Sequence, residues 1–388
     1  MARQEELGAV VLRPDPGERR RVLLPLVCCG LWLLLLEGLL RLLTSPDPRV
    51  LHDPLHPYGC FQEERLAQLV AARQDQPGPL DVVLLGDSVL SSVNNPPGER
   101  IEDLLPARLQ AALGTPVRVW NLGQGGVRAA DQLAALRQME AALGARRQKL
   151  FVVLSSNVVF FSRRHRSPPM LYPCLGSYLR GDRELEALLR LPPPAPALER
   201  YLAEWLARHL FLFGQRRRLA EALLGGPPRE ALRERLLQGL AHLGLRPGGD
   251  ATTDPNLPWT GRGLRAEQFR ASYDFIPPES PEAINHLMTR RLARHLAGWG
   301  QAALVVLMPQ NHGLLGPLAD GAAYHATVAA IARTFAEAAV PFRSYDGLVA
   351  DSLFTDADHL TAQGNQRLAE LLAEDLVPRL RALMGEGG

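Results

Sequence analysis

The stretch DVVLLGDSVLSS, residues 81–92, constrains the fold of this chain more than any other. After Asp81, Val82, Val83, Leu84 and Leu85 run without polar alternation, the pattern of a strand buried on both faces. Such a strand belongs in a parallel sheet with helices packed on either side. Gly86 permits a sharp turn, and Ser88 falls where that turn enters a helix. A hydroxyl there stands above the sheet edge, beside backbone N–H groups that favour developing negative charge. A Gly-Asp-Ser tripeptide is too short to name a nucleophile by itself. What decides the matter is whether the chain also supplies a base, an orienting acid and oxyanion donors.

The chain downstream alternates between strand and helix. Strands are expected at 117–120, 149–157, 302–311 and about 341–345, with helices at 101–113, 132–143, 324–339 and 362–384. This order predicts a parallel sheet whose site lies at the carboxyl ends of the strands. Between the third and fourth strands lies an insertion of about 160–285. It opens with Arg163, Arg164, His165 and Arg166, read as a solvated basic surface or a contact for anionic lipid or an acidic polymer. A Pro-rich break at 191–197, helical stretches at 198–224 and 229–243, and a Gly/Pro-rich loop at 246–263 complete it. An insertion of this length is expected to form a helical cap over the site.

Residues 1–21 are polar and end in Arg19, Arg20 and Arg21. The run 22–43 that follows is apolar and carries no charge through Leu36. Glu37 and Arg41 stand four apart, where they can pair on one helix face. A span needs roughly 20 apolar residues, and no small-residue cleavage site follows this one. The expectation is a single-pass anchor that is not removed. The arginines put residues 1–21 in the cytoplasm and the catalytic domain outside it. Residues 44–79 read as a linker or lead-in with one helix at 62–73, and 80–388 as the main domain. Cys28 and Cys29 fall in the apolar run, while Cys60 and Cys174 either pair or remain buried thiols. The formal net charge of +2 argues against nucleic acid as a partner. The cysteines show no metal-ligand spacing, and nothing suggests a metal or an organic cofactor.

The end of the chain supplies the missing acid and base in DADHLTAQG, residues 356–364. His359 precedes a helix that Thr361 can cap, which holds the imidazole on a short loop over the sheet edge. Asp356 can bond one ring nitrogen, turn the other toward Ser88, and raise the imidazole to or above its ordinary value of about 6.5. Gly126, after the second strand, can bring its backbone N–H close to a substrate oxygen. Asn157, at the end of the third strand, can aim its amide at the same place.

These four elements, at successive strand ends, resemble the Ser, Gly, Asn and His blocks of the SGNH/GDSL hydrolase family. The match covers residues 84–90, 121–126, 154–157 and 356–364. The resemblance implies a flavodoxin-like three-layer α/β/α fold and a catalytic set of Ser88, His359 and Asp356. It also implies an oxyanion hole made by Gly126, Asn157 and the backbone of Ser88. One block departs from the family pattern: where Gly-x-Asn-Asp is usual, the chain has Ser155-Ser156-Asn157-Val158. A single anchor, an outer SGNH core and the late Met308-Pro309-Gln310-Asn311-His312 are similar to one subgroup of the family. Its members assist membrane O-acyltransferases that acylate exopolysaccharides or teichoic acids. Asn311 and His312 then become candidate substrate contacts. The implied function is a serine esterase or acyltransferase acting on O-acyl groups of a cell-envelope polymer, with a multi-span O-acyltransferase as candidate partner. A plain lipase or thioesterase is the competing enzyme. An inactive adaptor binding an acylated polymer or a membrane partner is the alternative outside catalysis.

Overall fold

Strand β1 (Leu80–Leu85) lies second in a five-stranded parallel sheet of order β2-β1-β3-β4-β5, with β2 at Val117–Asn121, β3 at Leu150–Ser156, β4 at Ala303–Leu307 and β5 at Phe342–Ser344. A computed structural model of the chain describes residues 63–75, 80–92, 95–144, 149–165, 173–181, 183–189 and 257–385, with scattered positions at 27–36 and 198–210. The chain divides into two compact units. One joins Met1–Pro48 with Pro196–Arg235, and the other joins Arg49–Ala195 with Leu236–Gly388 and holds the whole sheet.

Register follows from the apolar runs. Val82 pairs with Val119 on one side and Phe151 on the other, and Val153 pairs with Leu304. Successive side chains point to opposite faces. Val82 and Leu84 pack on α3 (Ile101–Leu113) and α9 (Ala362–Met384), through Leu105, Leu109, Leu368, Leu372 and Leu376. Val83 and Leu85 face the other layer, made by α1 (Glu63–Asp75), α4 (Ala129–Leu143), α6 (Ile284–Leu296) and α8 (Ala322–Glu337). Each such side chain is fully buried and contributes about 1.5–3 kcal/mol. Helices on both faces make a three-layer α/β/α domain, and the order 2-1-3-4-5 puts its switch point between β1 and β3.

The segment before the sheet belongs to this core. In α1, Leu66 and Leu69 are buried, and Arg73 pairs with the buried carboxylate of Asp81 at the start of β1. Asp81 also accepts from Arg118 at 2.7 and 3.0 Å and from Trp120 Nε1 at 2.7 Å. Helix α6 is an element that strand-and-helix alternation did not anticipate; it lies at the end of the expected insertion. Strand β4 is shorter than the expected 302–311, because Pro309 follows it and the chain turns into the short α7 (His312–Leu315).

Much of the insertion, including most of the stretches expected at 198–224 and 229–243, lies outside the described residues. Its described parts include α5 (Arg183–Leu189) and a return along 257–283. Arg163 of the basic cluster pairs with Asp274 and Glu282 at 3.5 Å, and Arg164 donates to Ser272 Oγ at 3.1 Å. These two arginines are tied to the return. Cys60 and the side chain of Cys174 lie outside the described residues, as does most of the expected span 22–43. Positions 27–28 and 31–36 of that span are helical and exposed, Trp32 at 73 % and Leu35 at 65 %. Among the described residues, no helix is long and apolar enough to cross a membrane.

Candidate active site

Ser88 sits where β1 gives way to α2 (Ser88–Ser91). The turn depends on Gly86, where a Cβ would lie 1.9 Å from Ser155 Oγ at the end of β3. Ser155 fills the space that the glycine leaves. Its hydroxyl accepts from Asp87 N at 3.1 Å and donates to Asp87 Oδ1 at 3.3 Å. Ser155 therefore anchors the turn that carries Ser88. Asp87 caps α2 in turn, accepting from Val89 N at 3.2 Å and Leu90 N at 3.4 Å, while Ser91 N bonds Asp87 O. A helix start exposes four N–H groups. Ser155 takes that of Asp87, the Asp87 carboxylate takes those of Val89 and Leu90, and the fourth belongs to Ser88.

Beyond β5, residues 354–361 carry His359. Phe354 and Leu360 form an antiparallel bridge, and Thr355 N bonds His359 O at 2.8 Å. Thr361 caps α9 by accepting from Gly364 N at 3.1 Å. Asp356 accepts from the backbone N–H groups of His359 at 2.8 Å and Asp358 at 3.0 Å. Its carboxylate also lies 2.9 Å from His359 Nδ1. The opposite nitrogen, Nε2, lies 2.8 Å from Ser88 Oγ. A hydroxyl, an imidazole and a carboxylate thus stand in a row at the sheet edge. The side chains of His359 and Asp356 keep about a quarter of their surface exposed, 24 % and 25 %, so an outside molecule can reach them.

Other candidates fall differently. Gly126 lies in the loop after β2 with φ +78°, a backbone conformation suited to glycine, and the loop passes beside Ser88, since a Cβ on Gly125 would be 3.9 Å from that of Ser88. Asn157 reaches the site, but its amide donates to Asp87 Oδ2 at 2.9 Å and Asp358 Oδ2 at 2.7 Å. Both N–H groups are thereby engaged by carboxylates. Asn311 is not a substrate contact. It is fully buried, and it clasps the histidine loop through its backbone N–H on Ala357 O and its amide on Asp356 O, both at 2.9 Å. His312 stands apart from Ser88's bonds and pairs with Asp346 at 2.8 Å.

Several residues that matter were not singled out by motif. Asp87 and Asp358 stood inside GDS and DADH, beside the residues that drew attention. Gln310 supports Asn157 Oδ1 at 3.3 Å and accepts from Tyr273 OH at 2.5 Å. No local pattern announces that contact.

The electrostatics are dominated by carboxylates. Burial raises Asp87 above the usual carboxylate range, and the charge of Asp358 adds to it. Burial works against protonation of His359. The charge of Asp358, hydrogen bonds to Asp356 and Asp358 and the charge of Asp356 outweigh it and push the imidazole up to about 11. An ionisation near neutrality, expected from Asp356 alone, is therefore corrected upward. The physical reason is Asp358 Oδ1, a second carboxylate 3.2 Å from Nδ1. Asp356 is lowered: burial opposes this, and its bonds to His359 prevail. Among the described residues, the ligand atoms of Asp356, Asp358 and His359 form the one metal-like grouping, within 4.8 Å of one another. The imidazole joins them: Nδ1 bonds Asp356 at 2.9 Å and lies 3.2 Å from Asp358 Oδ1, so the grouping is already an ion-paired cluster.

No protein-family model matches the chain. No curated protein matches it either. Among solved structures, it is similar to Est24, a carbohydrate acetylesterase from Sinorhizobium meliloti, at 12 % identity and a TM-score of 0.33, over 77 % of this chain and 98 % of that one. It is also similar to the inhibitor-bound aryl esterase of M. smegmatis, at 14 % identity and a TM-score of 0.29, over 76 % and 97 %. Likeness at this level carries no argument about chemistry, which rests on the geometry of Ser88, His359 and Asp356.

Proposed function

We propose that this chain is a membrane-anchored serine esterase or O-acyltransferase of the SGNH/GDSL type, acting on O-acyl esters such as acetyl groups of a cell-envelope polysaccharide. The row Ser88 Oγ, His359 Nε2, His359 Nδ1, Asp356, with gaps of 2.8 and 2.9 Å, carries the reading. In it, Ser88 Oγ attacks the acyl carbon and its proton passes to His359 Nε2. The tetrahedral oxyanion is held by the N–H groups of Ser88 and Gly126, and by Asn157 once its amide exchanges one carboxylate for the substrate oxygen. Collapse expels the alcohol, which takes the proton from His359. Water or a sugar hydroxyl then attacks acyl-Ser88, gives its proton to His359, and restores the serine. Hydrolysis and transfer differ only in which hydroxyl arrives.

The anchor is part of the same proposal. Leu31 to Leu36 are all exposed, from 42 % for Leu36 to 73 % for Trp32, and the run around them is apolar over 22–43. Consecutive exposed apolar side chains are costly in water and at home in lipid. With Arg19 to Arg21 on the cytoplasmic side, the sheet domain stands outside the membrane, where a multi-span O-acyltransferase is its candidate partner.

A serine-directed fluorophosphonate, applied to the full-length protein in detergent at alkaline pH, tests the chemistry. Labelling of wild type and none of Ser88→Ala supports it; unlabelled wild type that is folded leaves the adaptor reading. Reporter fusions after about residue 50 test the anchor: alkaline phosphatase silent there, with a cytoplasmic reporter active, overturns the orientation.

A further inference from the structure

We infer that Asp358 is a second acid partner of His359, held in place by Asn157, and that the site therefore works with an imidazole shared between two carboxylates. The inference rests on the Ser88 esterase reading for its role in the reaction, but its geometry stands apart from it. Asp358 Oδ1 lies 3.2 Å from His359 Nδ1, while Oδ2 accepts from Asn157 Nδ2 at 2.7 Å. The carboxylate is thus gripped at both oxygens. Its side chain is 15 % exposed, less than that of Asp356 at 25 %.

Asn157 is itself fixed from several sides. Its second N–H goes to Asp87 Oδ2 at 2.9 Å, and its carbonyl accepts from Gln310 Nε2 at 3.3 Å and Val159 N at 3.2 Å. Through Asp87 this bracket reaches the turn that carries Ser88, and through Asp358 it reaches the base. One asparagine therefore sets the distance between the two halves of the site. An opposite charge within about 4–6 Å shifts a titration by 1–3 units, and here two such charges act on one ring.

Among the described residues, the other titratable groups around the ring come from three elements. Asp87 follows β1 and is influenced by both His359 and Asp358. His165 follows β3 and is influenced by Asp358. Tyr273, on the return of the insertion, is influenced by Asp356 and Asp358. Asp87 and Tyr273 bring no positive charge to offset the pair of carboxylates, and burial lowers the pKa of His165. When a substrate oxygen displaces Asp358 from Asn157, the charge of Asp358 is left to His359 alone. The ring is then most basic when it takes the serine proton.

The test is a proton titration read on His359 in the full-length protein, with histidine isotopically labelled and the resonance assigned by its loss in His359→Gln. Asp358→Asn should lower the midpoint by about one pH unit or more. The rising limb of kcat/KM against pH should move by the same amount. Asp356→Asn serves as the comparison, and Asp358→Ala as a second variant should Asp358→Asn unfold. A midpoint in folded Asp358→Asn that stays with wild type, while Asp356→Asn moves it, overturns the inference and leaves a simple triad. The titration does not depend on turnover. Failure of fluorophosphonate labelling therefore strikes the esterase reading, and an unmoved midpoint strikes Asp358.

Discussion

The Oγ of Ser88 lies 2.8 Å from Nε2 of His359, although 271 residues separate them in the chain. The sheet makes the meeting possible: one residue leaves the carboxyl end of β1 and the other arrives after β5, on the same edge. Replacing Ser88 by alanine removes the hydroxyl proposed to attack and leaves the cap on Asp87 intact. Hydrolysis of a p-nitrophenyl ester should fall on the order of 10⁶ in kcat. Thermal unfolding should be nearly unchanged. A variant within tenfold of wild type would show that Ser88 is a turn residue and nothing more.

Asn311 offers a sharper test of positioning. Its two bonds to the backbone of Asp356 and Ala357 fix the loop from beneath, and it is fully buried. In Asn311→Ala the carbonyl of Asp356 loses its donor and the loop can drift. A misplacement of about 1 Å costs about 10²-fold in rate. We expect that loss in kcat, with KM for a small ester unchanged. A rise in KM at constant kcat would instead place Asn311 in contact with substrate.

Asp81 is the corresponding test for the scaffold. It is buried with Arg73, Arg118 and Trp120 around it, far in chemistry from the site but on the same strand as Ser88's turn. Asp81→Ala leaves guanidinium groups and an indole N–H without their acceptor. Breaking a buried pair from one side costs about 3–5 kcal/mol. Urea unfolding should show that loss. An unchanged midpoint would mean that water replaces the carboxylate.

The run of Val82 to Leu85 and the alternation behind it made the sheet legible, because a doubly covered strand has one pattern and few alternatives. Ser88, His359 and Asp356 were legible because each sits beside its own turn or cap. What the sequence hid is long-range. Ser155 looked like a departure from a motif until Gly86 was seen to leave room for its hydroxyl. Asn157 read as a free donor, and two carboxylates from distant segments engage it. Asn311 read as a substrate contact, and burial makes it a clasp. Such roles depend on which segments meet, and no local spacing encodes that.

The pH dependence follows from the same meeting of segments. His359 is pushed up to about 11, so its proton is held through neutral pH and the free base grows tenfold with each unit of rising pH. The logarithm of kcat/KM should climb with unit slope through neutral and moderately alkaline pH, and His359→Gln should remove both the slope and most of the rate. Asp356→Asn should cost less than loss of the serine; related triads lose about 10⁴ in kcat from that change. Stability runs the other way. A histidine raised above its unfolded value of about 6.5 stabilises the fold fully below that pH, and the contribution is lost as pH rises through the folded value. Wild type should therefore lose stability relative to His359→Gln between pH 7 and about 11, as measured by urea unfolding at several pH values. A rate that levels off near pH 7, with no such loss of stability, would mean that Asp356 and Asp358 do not hold the proton on His359.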